Sequence, residues 1–328
     1  MKEAIFWKKE KDKIRCQLCP QNCLIVEEKV GFCGVRQNIK GKLYSLVYGK
    51  PCSVNVDPIE KKPLYHFFPG ETTFSIGTVG CNLACKFCQN WEISRAKPNT
   101  FSIKKVEPKQ VVELAKENGC KIISYTYTEP TVFYEYMLDI ARIAKKEKIK
   151  NTIVSNGFIN EEPLKKLIRY IDAANIDLKS FDDKFYKKYC FGKLEPVLNS
   201  LKILKKNNIW LEITNLVIPR LNDNFKKIEE MCKWISKELG KDVPIHFSAF
   251  YPHYKMNDVE PTSLATLEKA AKIARKYLNF VYIGNVPADG NTYCPKCKKA
   301  VIERRFFSAN SHLKQGKCSC GKKIPGIF

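Results

Sequence analysis

The chain has 328 residues, of which 44% are hydrophobic and 28% charged, so a sizeable core can form and a disordered chain is excluded. The longest stretch without a charged residue is the 14 residues 72–85, whereas a membrane span needs about 20 apolar residues. The start of the chain lacks the apolar region of a secretory signal. We therefore expect a cytoplasmic protein with no membrane association, built as one large domain with small additions or as two domains.

The chain is strongly basic, with 57 Lys and Arg against 34 Asp and Glu, a net charge of +23. Such a charge attracts nucleic acid or another polyanion. A lysine-rich surface of the kind found in proteins from hot environments is the simpler interpretation, because basic residues are spread along the whole chain. Nucleic acid is therefore kept as a partner that the sequence does not favour.

The chain has 15 cysteines and only 4 histidines. Cysteine at this density in a reducing compartment serves metal or redox chemistry more often than disulfides. Four cysteines are isolated and are expected to be small buried hydrophobes: Cys52, Cys120, Cys190 and Cys232. The others form three clusters: Cys16, Cys19, Cys23 and Cys33; Cys81, Cys85 and Cys88; and Cys294, Cys297, Cys318 and Cys320. These clusters suggest an N-terminal cysteine-rich module (1–66), a core (67–290) and a short tail (291–328).

The core alternates predicted strands with amphipathic helices. Apolar runs predict strands at 73–79, 122–127, 151–155, 174–178, 210–217, 245–250 and 280–283. Helices are predicted to begin near Pro108 and after residues 261–263, and apolar residues at helical spacing predict two more that carry Phe133 and Phe225 on their buried faces. This alternation favours an α/β fold with a parallel sheet, closed as a barrel or partial barrel with its chemistry at the carboxyl ends of the strands. A doubly wound sheet is the alternative, but no Gly-x-Gly-x-x-Gly motif follows the first strand.

The segment Cys81-x3-Cys85-x2-Cys88 directly follows the first predicted core strand. Closely spaced thiolates select iron–sulfur clusters or zinc. A [4Fe–4S] cluster normally takes four thiolates, so one held by three keeps an iron free to bind a substrate. The sequence therefore predicts a catalytic metal centre on this loop.

This motif, with Phe87 before the third cysteine, resembles the radical S-adenosylmethionine (SAM) superfamily. The resemblance implies a partial (β/α)6 TIM-like barrel and a [4Fe–4S] cluster on Cys81, Cys85 and Cys88, whose free iron binds SAM. It further implies an oxidoreductase that cleaves SAM reductively to a 5′-deoxyadenosyl radical, which abstracts hydrogen from a substrate. The electron would come from a donor such as ferredoxin or flavodoxin. Zinc and coincidental spacing are the alternatives.

Further motifs narrow the resemblance. Residues 88–90, 154–158, 177–179 and 217–223 resemble motifs of the enzymes that activate pyruvate formate-lyase and other glycyl radical enzymes. Residues 57–66 and 88–94 resemble the AmmeMemoRadiSam-system radical SAM enzymes. The resemblance makes a glycyl residue of a partner protein a candidate substrate. The alternatives are radical-based modification of RNA or another polyanion, and a metal-binding adaptor without SAM chemistry.

Polar residues at the strand ends are candidates for binding SAM. A Glu accepts from an ammonium, a Lys binds a carboxylate, and an Asp accepts from a ribose hydroxyl. These chemistries, together with the resemblance, give the candidate cofactor-binding residues Phe87, Asn90, Thr128, Glu129, Ser155, Asn156, Asp177, Lys179, Ile218, His246 and His253.

The two outer cysteine clusters predict further metal sites. The C-terminal cluster resembles a zinc ribbon, with a rubredoxin-type iron as the alternative and Cys320 as the fourth ligand. The N-terminal cluster suits either zinc or a second iron–sulfur cluster, since both accept four thiolates. For that site we favour structural zinc.

Overall fold

The computed structural model describes residues 1–102 and 104–328. The strands, numbered along the chain, are β1 (Lys2–Glu3), β2 (Trp7–Glu10), β3 (Lys13–Cys16), β4 (Leu24–Ile25), β5 (Arg36–Ile39), β6 (Lys42–Ser45), β7 (Ser53–Pro58), β8 (Thr72–Gly77), β9 (Ile122–Tyr125), β10 (Lys150–Ser155), β11 (Ala173–Asp177), β12 (Trp210–Val217), β13 (Ile245–Ala249), β14 (Val281–Gly284), β15 (Thr292–Tyr293), β16 (Ala300–Arg305) and β17 (Ser308–Ser311).

The α-helices are α1 (Trp91–Ser94), α2 (Pro108–Glu117), α3 (Tyr134–Lys146), α4 (Glu161–Leu167), α5 (Asp183–Phe185), α6 (Leu194–Lys206), α7 (Phe225–Glu238) and α8 (Leu264–Ala274). Short 3-10 helices lie at Ile59–Lys61, Pro130–Phe133 and Ile168–Tyr170, and a π-helical turn lies at Tyr186–Cys190. None of the helices within residues 1–102 and 104–328 combines the length and the hydrophobicity that a membrane span requires.

An eight-stranded sheet forms the centre of the fold, with the spatial order β14-β13-β12-β11-β10-β9-β8-β7. Strands β8 to β14 are parallel and run in chain order, and β7 pairs antiparallel with β8 at one edge. The seven parallel strands are the seven predicted from apolar runs, with ends that differ by a few residues. This confirms the α/β partial barrel. The sheet has seven parallel strands, one more than the six of the expected (β/α)6 barrel.

Three of the helices that cover the sheet, α2, α7 and α8, begin where the sequence supplies caps. Helix α2 opens with Pro108 behind a capping box made by Glu107 and Gln110. The side chain of Ser263 caps α8 by accepting from the backbone N–H of Thr266. Helical spacing in the sequence predicts a buried stripe of Leu264, Leu267, Ala271 and Ala274 on α8, whereas in the structure Leu264 is 41% exposed and Ala270 is buried.

Small sheets lie outside the barrel. Residues 1–66 contain two three-stranded sheets, β1-β6-β5 and β2-β3-β4, and they also supply β7 to the central sheet. The tail forms the sheet β15-β16-β17 and packs its apolar side chains on Phe280 and Tyr282, next to and within β14. Three of the isolated cysteines, Cys120, Cys190 and Cys232, are buried as expected, and Cys52 is partly buried.

Candidate active site at the carboxyl edge of the sheet

The loop after β8 carries Cys81, Cys85 and Cys88, and backbone hydrogen bonds fix it in place. The N–H of Ala84 donates to the carbonyl of Cys190 (3.0 Å), and that of Lys86 donates to the carbonyl of Tyr189 (2.9 Å). Both acceptors belong to the π-helical turn, a rare element that is frequent at functional sites. The cysteine loop is therefore held against a second, equally irregular segment.

Gly80 lets this loop approach the N-terminal module closely. Its φ of +100° lies in the region that side chains rarely adopt. A Cβ at Gly80 would lie 2.6 Å from Cγ1 of Val35 and 3.0 Å from the carbonyl oxygen of Cys33. Only glycine fits at this position, directly before the first cysteine of the motif.

The three cysteines open into a cavity of about 510 Å³ at the carboxyl edge of the sheet. This is the size of a small-molecule site. The cavity brings together eight of the candidate cofactor-binding residues: Phe87, Asn90, Thr128, Glu129, Ser155, Asn156, Asp177 and Lys179. Parallel strands place their carboxyl ends at one edge, which is why residues so distant in sequence meet here.

Glu129 lies at the centre of a buried hydrogen-bond network. Its Oε1 accepts from the N–H (2.9 Å) and hydroxyl (2.6 Å) of Thr131 and from the hydroxyl of Ser155 (2.8 Å). Its Oε2 accepts from the N–H of Asn156 (2.8 Å). Burial raises the pKa of Glu129, although these hydrogen bonds oppose the rise. The carboxylate thus fixes the ends of two neighbouring strands, and Oε2 keeps capacity for another donor.

Asn156 extends this network to the cysteine loop. Its Nδ2 donates to Oδ1 of Asn82 (2.9 Å) and lies 3.8 Å from the sulfur of Cys81. Asn82 in turn donates to the carbonyl of Phe158 (2.7 Å). The position of Cys81 is thereby coupled to the turn after β10.

Asp177 and Lys179 form an ion pair on the cavity wall, with Nζ 2.9 Å from Oδ2. Burial disfavours the charge of Lys179, but the carboxylate of Asp177 and the neighbouring Cys85 outweigh it and raise its pKa well above the ordinary value. Lys179 is therefore a fixed cation beside the cysteines, and its Nζ lies 5.9 Å from the centre of the Phe87 ring.

Sequence reasoning missed a second basic group on the cavity wall. Lys62 lines the cavity with a nearly buried side chain and donates to Oδ2 of Asp57 (2.7 Å), which also accepts from the hydroxyl of Tyr127 (2.5 Å). Burial opposes ionisation of Asp57, but the hydrogen bonds from Lys62, Tyr127 and Lys61 hold its pKa well below the ordinary value. Both residues belong to the segment 57–66, which resembles a family motif, but the motif alone does not indicate what Asp57 and Lys62 do.

Other cavity residues were also missed. They are polar groups on strands or in strand-end loops: Thr126, Asn175, Thr214, Ser248 and Asn285. Polar residues in otherwise apolar strands are the signal that could have identified three of them, Asn175, Thr214 and Ser248. Asn175 and Thr214 are joined by a hydrogen bond of 2.9 Å.

Three candidate residues are not brought to the cavity. His246 is buried, and its Nε2 lies 2.7 Å from Oε2 of Glu212. It stands two residues before the cavity residue Ser248, nearer the amino end of β13. Ile218 is fully buried, and its N–H donates to Oδ1 of Asn222 (2.6 Å). His253 is exposed and pairs through its backbone with Met256.

The tail cysteines Cys294, Cys297, Cys318 and Cys320 form a compact group whose sulfurs all lie within 4.8 Å of one another. The sulfurs of Cys294 and Cys320 are 3.6 Å apart, and those of Cys297 and Cys318 are 3.5 Å apart. Zinc–sulfur bonds of about 2.3 Å in a tetrahedron separate the sulfurs by about 3.8 Å. This geometry fits one metal ion, with Cys320 among the four thiols.

The chemistry of the donors in the central loop fits an iron–sulfur cluster. Cys81, Cys85 and Cys88 supply three soft ligands at the edge of a cavity large enough for a further ligand. The sulfur of Cys81 accepts from the N–H of Leu83 (3.4 Å), and the hydroxyl of Ser94 lies 3.3 Å from the sulfur of Cys88. Such donors stabilise thiolates and tune a bound cluster.

Comparison with known proteins agrees with this site. The model of the radical SAM superfamily matches residues 75–235, which include the three cysteines, Glu129 and Lys179. The chain belongs to this superfamily of enzymes, whose cofactors are a [4Fe–4S] cluster and SAM.

Two relatives illustrate the range of similarity. The uncharacterized protein MJ0808 of Methanocaldococcus jannaschii is 47% identical over 332 residues, 99% of each chain. The pyruvate formate-lyase 1-activating enzyme of Escherichia coli is 23% identical over 216 residues, 60% of this chain and 86% of that enzyme.

Among solved structures, SuiB of Streptococcus suis bound to the precursor peptide SuiA has a TM-score of 0.52 at 18% identity. The match covers 69% of this chain and 51% of SuiB. It shows that the fold is shared.

Proposed function

We propose that this protein cleaves SAM reductively and abstracts a hydrogen atom from a glycyl residue of a partner protein. The observation that carries the proposal is the group of three thiols facing a 510 Å³ cavity whose wall also holds the Asp177–Lys179 ion pair. When bound to Cys81, Cys85 and Cys88, a [4Fe–4S] cluster supplies the electron that cleaves SAM into methionine and a 5′-deoxyadenosyl radical. A ferredoxin or flavodoxin would replace that electron.

The residues of the cavity have separate roles in this proposal. Lys179 binds the carboxylate of SAM, since its charge is fixed by Asp177. Oε2 of Glu129 accepts from the SAM ammonium while its other hydrogen bonds hold Ser155 in place. Asn90, whose Nδ2 donates to the carbonyl of Tyr127 (2.6 Å), orders the loop at the cavity mouth.

The proposal of a glycyl substrate is supported by the similarity to the relative named as a pyruvate formate-lyase activating enzyme. Gln89 and Asn90 line the cavity and are exposed, so an extended peptide could reach the mouth. RNA or another polyanion is the second candidate, favoured by the net charge of +23 and by Lys61 and Lys62 on the cavity wall. The adaptor interpretation is set aside, because the superfamily consists of enzymes.

Product analysis tests the SAM chemistry. The protein is reconstituted anaerobically with iron and sulfide, then incubated with SAM and dithionite, and 5′-deoxyadenosine is quantified by chromatography. We expect product from the wild-type protein and from Cys52→Ala, a control outside all three clusters, and none from Cys85→Ala. A wild-type protein with a full cluster and no product would contradict the proposal.

Stimulation by a cell fraction tests the substrate class. An anaerobic extract of cells that carry this gene is divided into three portions, which are treated with protease, with ribonuclease, or with neither. The added protease or ribonuclease is then inhibited, and each portion is added to the SAM cleavage assay. Stimulation that protease abolishes and ribonuclease leaves intact supports a protein substrate. The opposite pattern would replace the glycyl substrate by RNA.

A further inference from the structure

The four N-terminal cysteines surround a second, smaller cavity, which lies between the N-terminal sheets and the core. Its wall includes Cys16, Cys19, Cys23 and Cys33, together with Gly31, Phe32 and Arg36. Asn82, Thr131 and Val132 of the core complete it. Residues spread over the first 36 positions thus place four thiols around one space.

The spacing of these thiols differs from that of a zinc site. In the tail, all four sulfurs lie within 4.8 Å of one another, as a single tetrahedral ion requires. Among the described residues, which include all four N-terminal cysteines, no three of the N-terminal sulfurs meet that limit. The sulfurs of Cys81, Cys85 and Cys88 do not meet it either. Both sets are therefore more open than the tail site.

The cavity beside the N-terminal thiols has a volume of about 20 Å³, and about 10–15 Å³ is enough for a water molecule. Open space therefore lies next to the four cysteines. An iron–sulfur cluster places several iron atoms and sulfides between its cysteines and so holds them farther apart.

Arg36 is an independent sign of a bound anion. It is 2% exposed, lines this cavity, and uses both terminal nitrogens to bind Glu135 at 2.9 Å. Its Nε–H has no hydrogen-bond partner within the described part of the chain. An unpaired buried donor costs about 1–3 kcal/mol. Four thiolates around a bound metal centre are anionic and offer the missing acceptor, so the four cysteines fit a metal centre of either kind.

A backbone donor also faces one of these thiols, as it does in the central loop. The N–H of Phe32 donates to the sulfur of Cys23 (3.3 Å). Hydrogen bonds of this kind tune iron–sulfur clusters.

The cavity adjoins the loop that carries Cys81. Nε2 of Gln21 donates to the carbonyl of Asn82 (2.9 Å), the residue after Cys81. On the other side of Cys81, a Cβ added to Gly80 would lie 3.0 Å from the carbonyl oxygen of Cys33, so the two segments run close together. A cluster in this cavity would be a direct neighbour of the cluster on the central loop.

We propose that Cys16, Cys19, Cys23 and Cys33 bind an iron–sulfur cluster, rather than the zinc ion favoured from spacing in the sequence. The inference goes beyond the proposed function, because it requires no reaction with SAM. It assigns to the N-terminal module a second cluster that is buried against the active-site loop.

Metal analysis of matched variants tests this assignment. The full-length protein with Cys81→Ala, Cys85→Ala and Cys88→Ala is reconstituted anaerobically, and iron, sulfide and zinc are counted per chain. We expect this triple variant to keep stoichiometric iron and sulfide, with a Mössbauer spectrum typical of a cluster, and to hold zinc only in the tail. Adding Cys19→Ala and Cys33→Ala should remove the remaining iron and sulfide, which excludes nonspecific loading.

The outcomes separate this inference from the proposed function, since none of these measurements uses SAM. A triple variant with no iron and about two zinc ions per chain would establish a zinc site and overturn the assignment. A triple variant with no iron and zinc only in the tail would overturn it equally. If the five-substitution variant fails to fold, the triple variant alone still decides.

The contact between the cavity and the central loop has a spectroscopic consequence. Two reduced clusters this close should interact magnetically, so the EPR spectrum of the dithionite-reduced wild-type protein should be broadened. The triple variant and Cys19→Ala/Cys33→Ala should each give the narrower spectrum of an isolated cluster, whereas Cys52→Ala should match the wild type. A wild-type spectrum equal to that of the Cys19→Ala/Cys33→Ala variant would contradict the proposal.

Discussion

The carboxylate of Glu129 accepts a hydrogen bond of 2.8 Å from the hydroxyl of Ser155, which joins the end of β9 to the end of β10. Its other oxygen accepts from the N–H of Asn156, whose side chain lies 3.8 Å from the sulfur of Cys81. One buried carboxylate therefore holds together two strand ends and the cysteine loop.

Replacing Glu129 by Gln should disturb both stability and cluster binding. An amide offers one oxygen and one NH₂ where the network has only donors, so at least one buried donor loses its acceptor. We expect a loss of about 1–3 kcal/mol in the free energy of unfolding, measured by urea denaturation, and a lower iron content after reconstitution. The matched control is Glu117→Gln on the exposed face of α2, which should change neither. Unchanged stability of Glu129→Gln would contradict the network.

Replacing Lys179 by Met should weaken SAM binding. The substitution removes the fixed cation and leaves Asp177 without its partner at 2.9 Å. A hydrogen bond to a charged group contributes about 1.5–3 kcal/mol, so we expect the Kd for SAM to rise about 10- to 100-fold in equilibrium dialysis. Lys184→Met, at an exposed position, should leave the Kd unchanged, and Lys179→Arg should restore part of the affinity. Equal affinity of Lys179→Met and wild type would exclude this role.

The parallel sheet could be predicted because its strands are short apolar runs separated by amphipathic helices. Six of the eight candidate residues that line the cavity follow from the same logic, since they stand at strand ends or within four residues after them. The other two, Phe87 and Asn90, lie on the cysteine loop and were identified by the resemblance. His246 shows where this logic stops. It shares a strand face with Ser248, but alternation along a strand does not tell how far from the cavity a residue lies, and Glu212 holds His246 nearer the amino end.

The network around Glu129 could not be predicted for a different reason. A motif identifies a carboxylate, but the hydrogen bonds it accepts depend on which backbone N–H groups the turns bring close. The pairing of Lys62 with Asp57 likewise depends on β7 joining the central sheet. The sequence of β7 did not predict a strand of the core. Spacing alone also could not separate zinc from a cluster at the N-terminal cysteines, because the two differ in the distances between sulfurs.

Acid should destabilise the protein in two stages. Burial lowers the pKa of His66 from 6.5 to about 4, and its neutral ring bonds the carbonyl of Pro325 (2.7 Å) and the hydroxyl of Tyr282 (2.6 Å). Burial opposes ionisation of Glu212, but the hydrogen bond from His246 and the nearby charges outweigh it and lower its pKa from 4.5 to about 2. In both cases the unfolded chain binds protons first as the pH falls.

The stability due to His66 is therefore complete above pH 6.5 and is lost as the pH falls to about 4. That of Glu212 is complete above pH 4.5 and is lost toward pH 2. We expect the free energy of unfolding to decline by about 3 kcal/mol through the His66 range, measured by urea denaturation at fixed pH values. His66→Asn should flatten this decline, while His253→Asn, at an exposed position, should not. A wild-type profile that is flat from pH 6.5 to 4 would contradict the assignment.

Removing the metal from the tail should unfold the tail without emptying the active site. The buried residues shared by the tail and β14 are few, and they include the cysteines Cys294 and Cys318. Metal binding supplies much of the folding free energy of such small units. A chelator strong enough to extract zinc should make residues 291–328 sensitive to protease, as judged by mass spectrometry, while cluster absorbance persists.

Cys294→Ser should reproduce the protease sensitivity of the tail without a chelator. Cys232→Ser in α7 is the control for placing a hydroxyl at a buried cysteine outside the clusters. Tail cleavage that is equal before and after metal removal would show that the tail folds without its metal.

Gly80 offers a test of the close approach between the N-terminal module and the cysteine loop. Gly80→Ala places a Cβ 2.6 Å from Cγ1 of Val35 at a φ of +100°. Gly240 has a similar φ of +94° but no atom within 4 Å of the same position. Gly240→Ala therefore carries only the backbone strain, of order 1–3 kcal/mol, whereas Gly80→Ala adds a steric clash with Val35 and the carbonyl of Cys33. We expect a larger loss of unfolding free energy for Gly80→Ala, together with a lower iron content, because the loop that starts at Cys81 must shift. Equal losses for the two variants, with unchanged iron, would show that the loop does not depend on this contact.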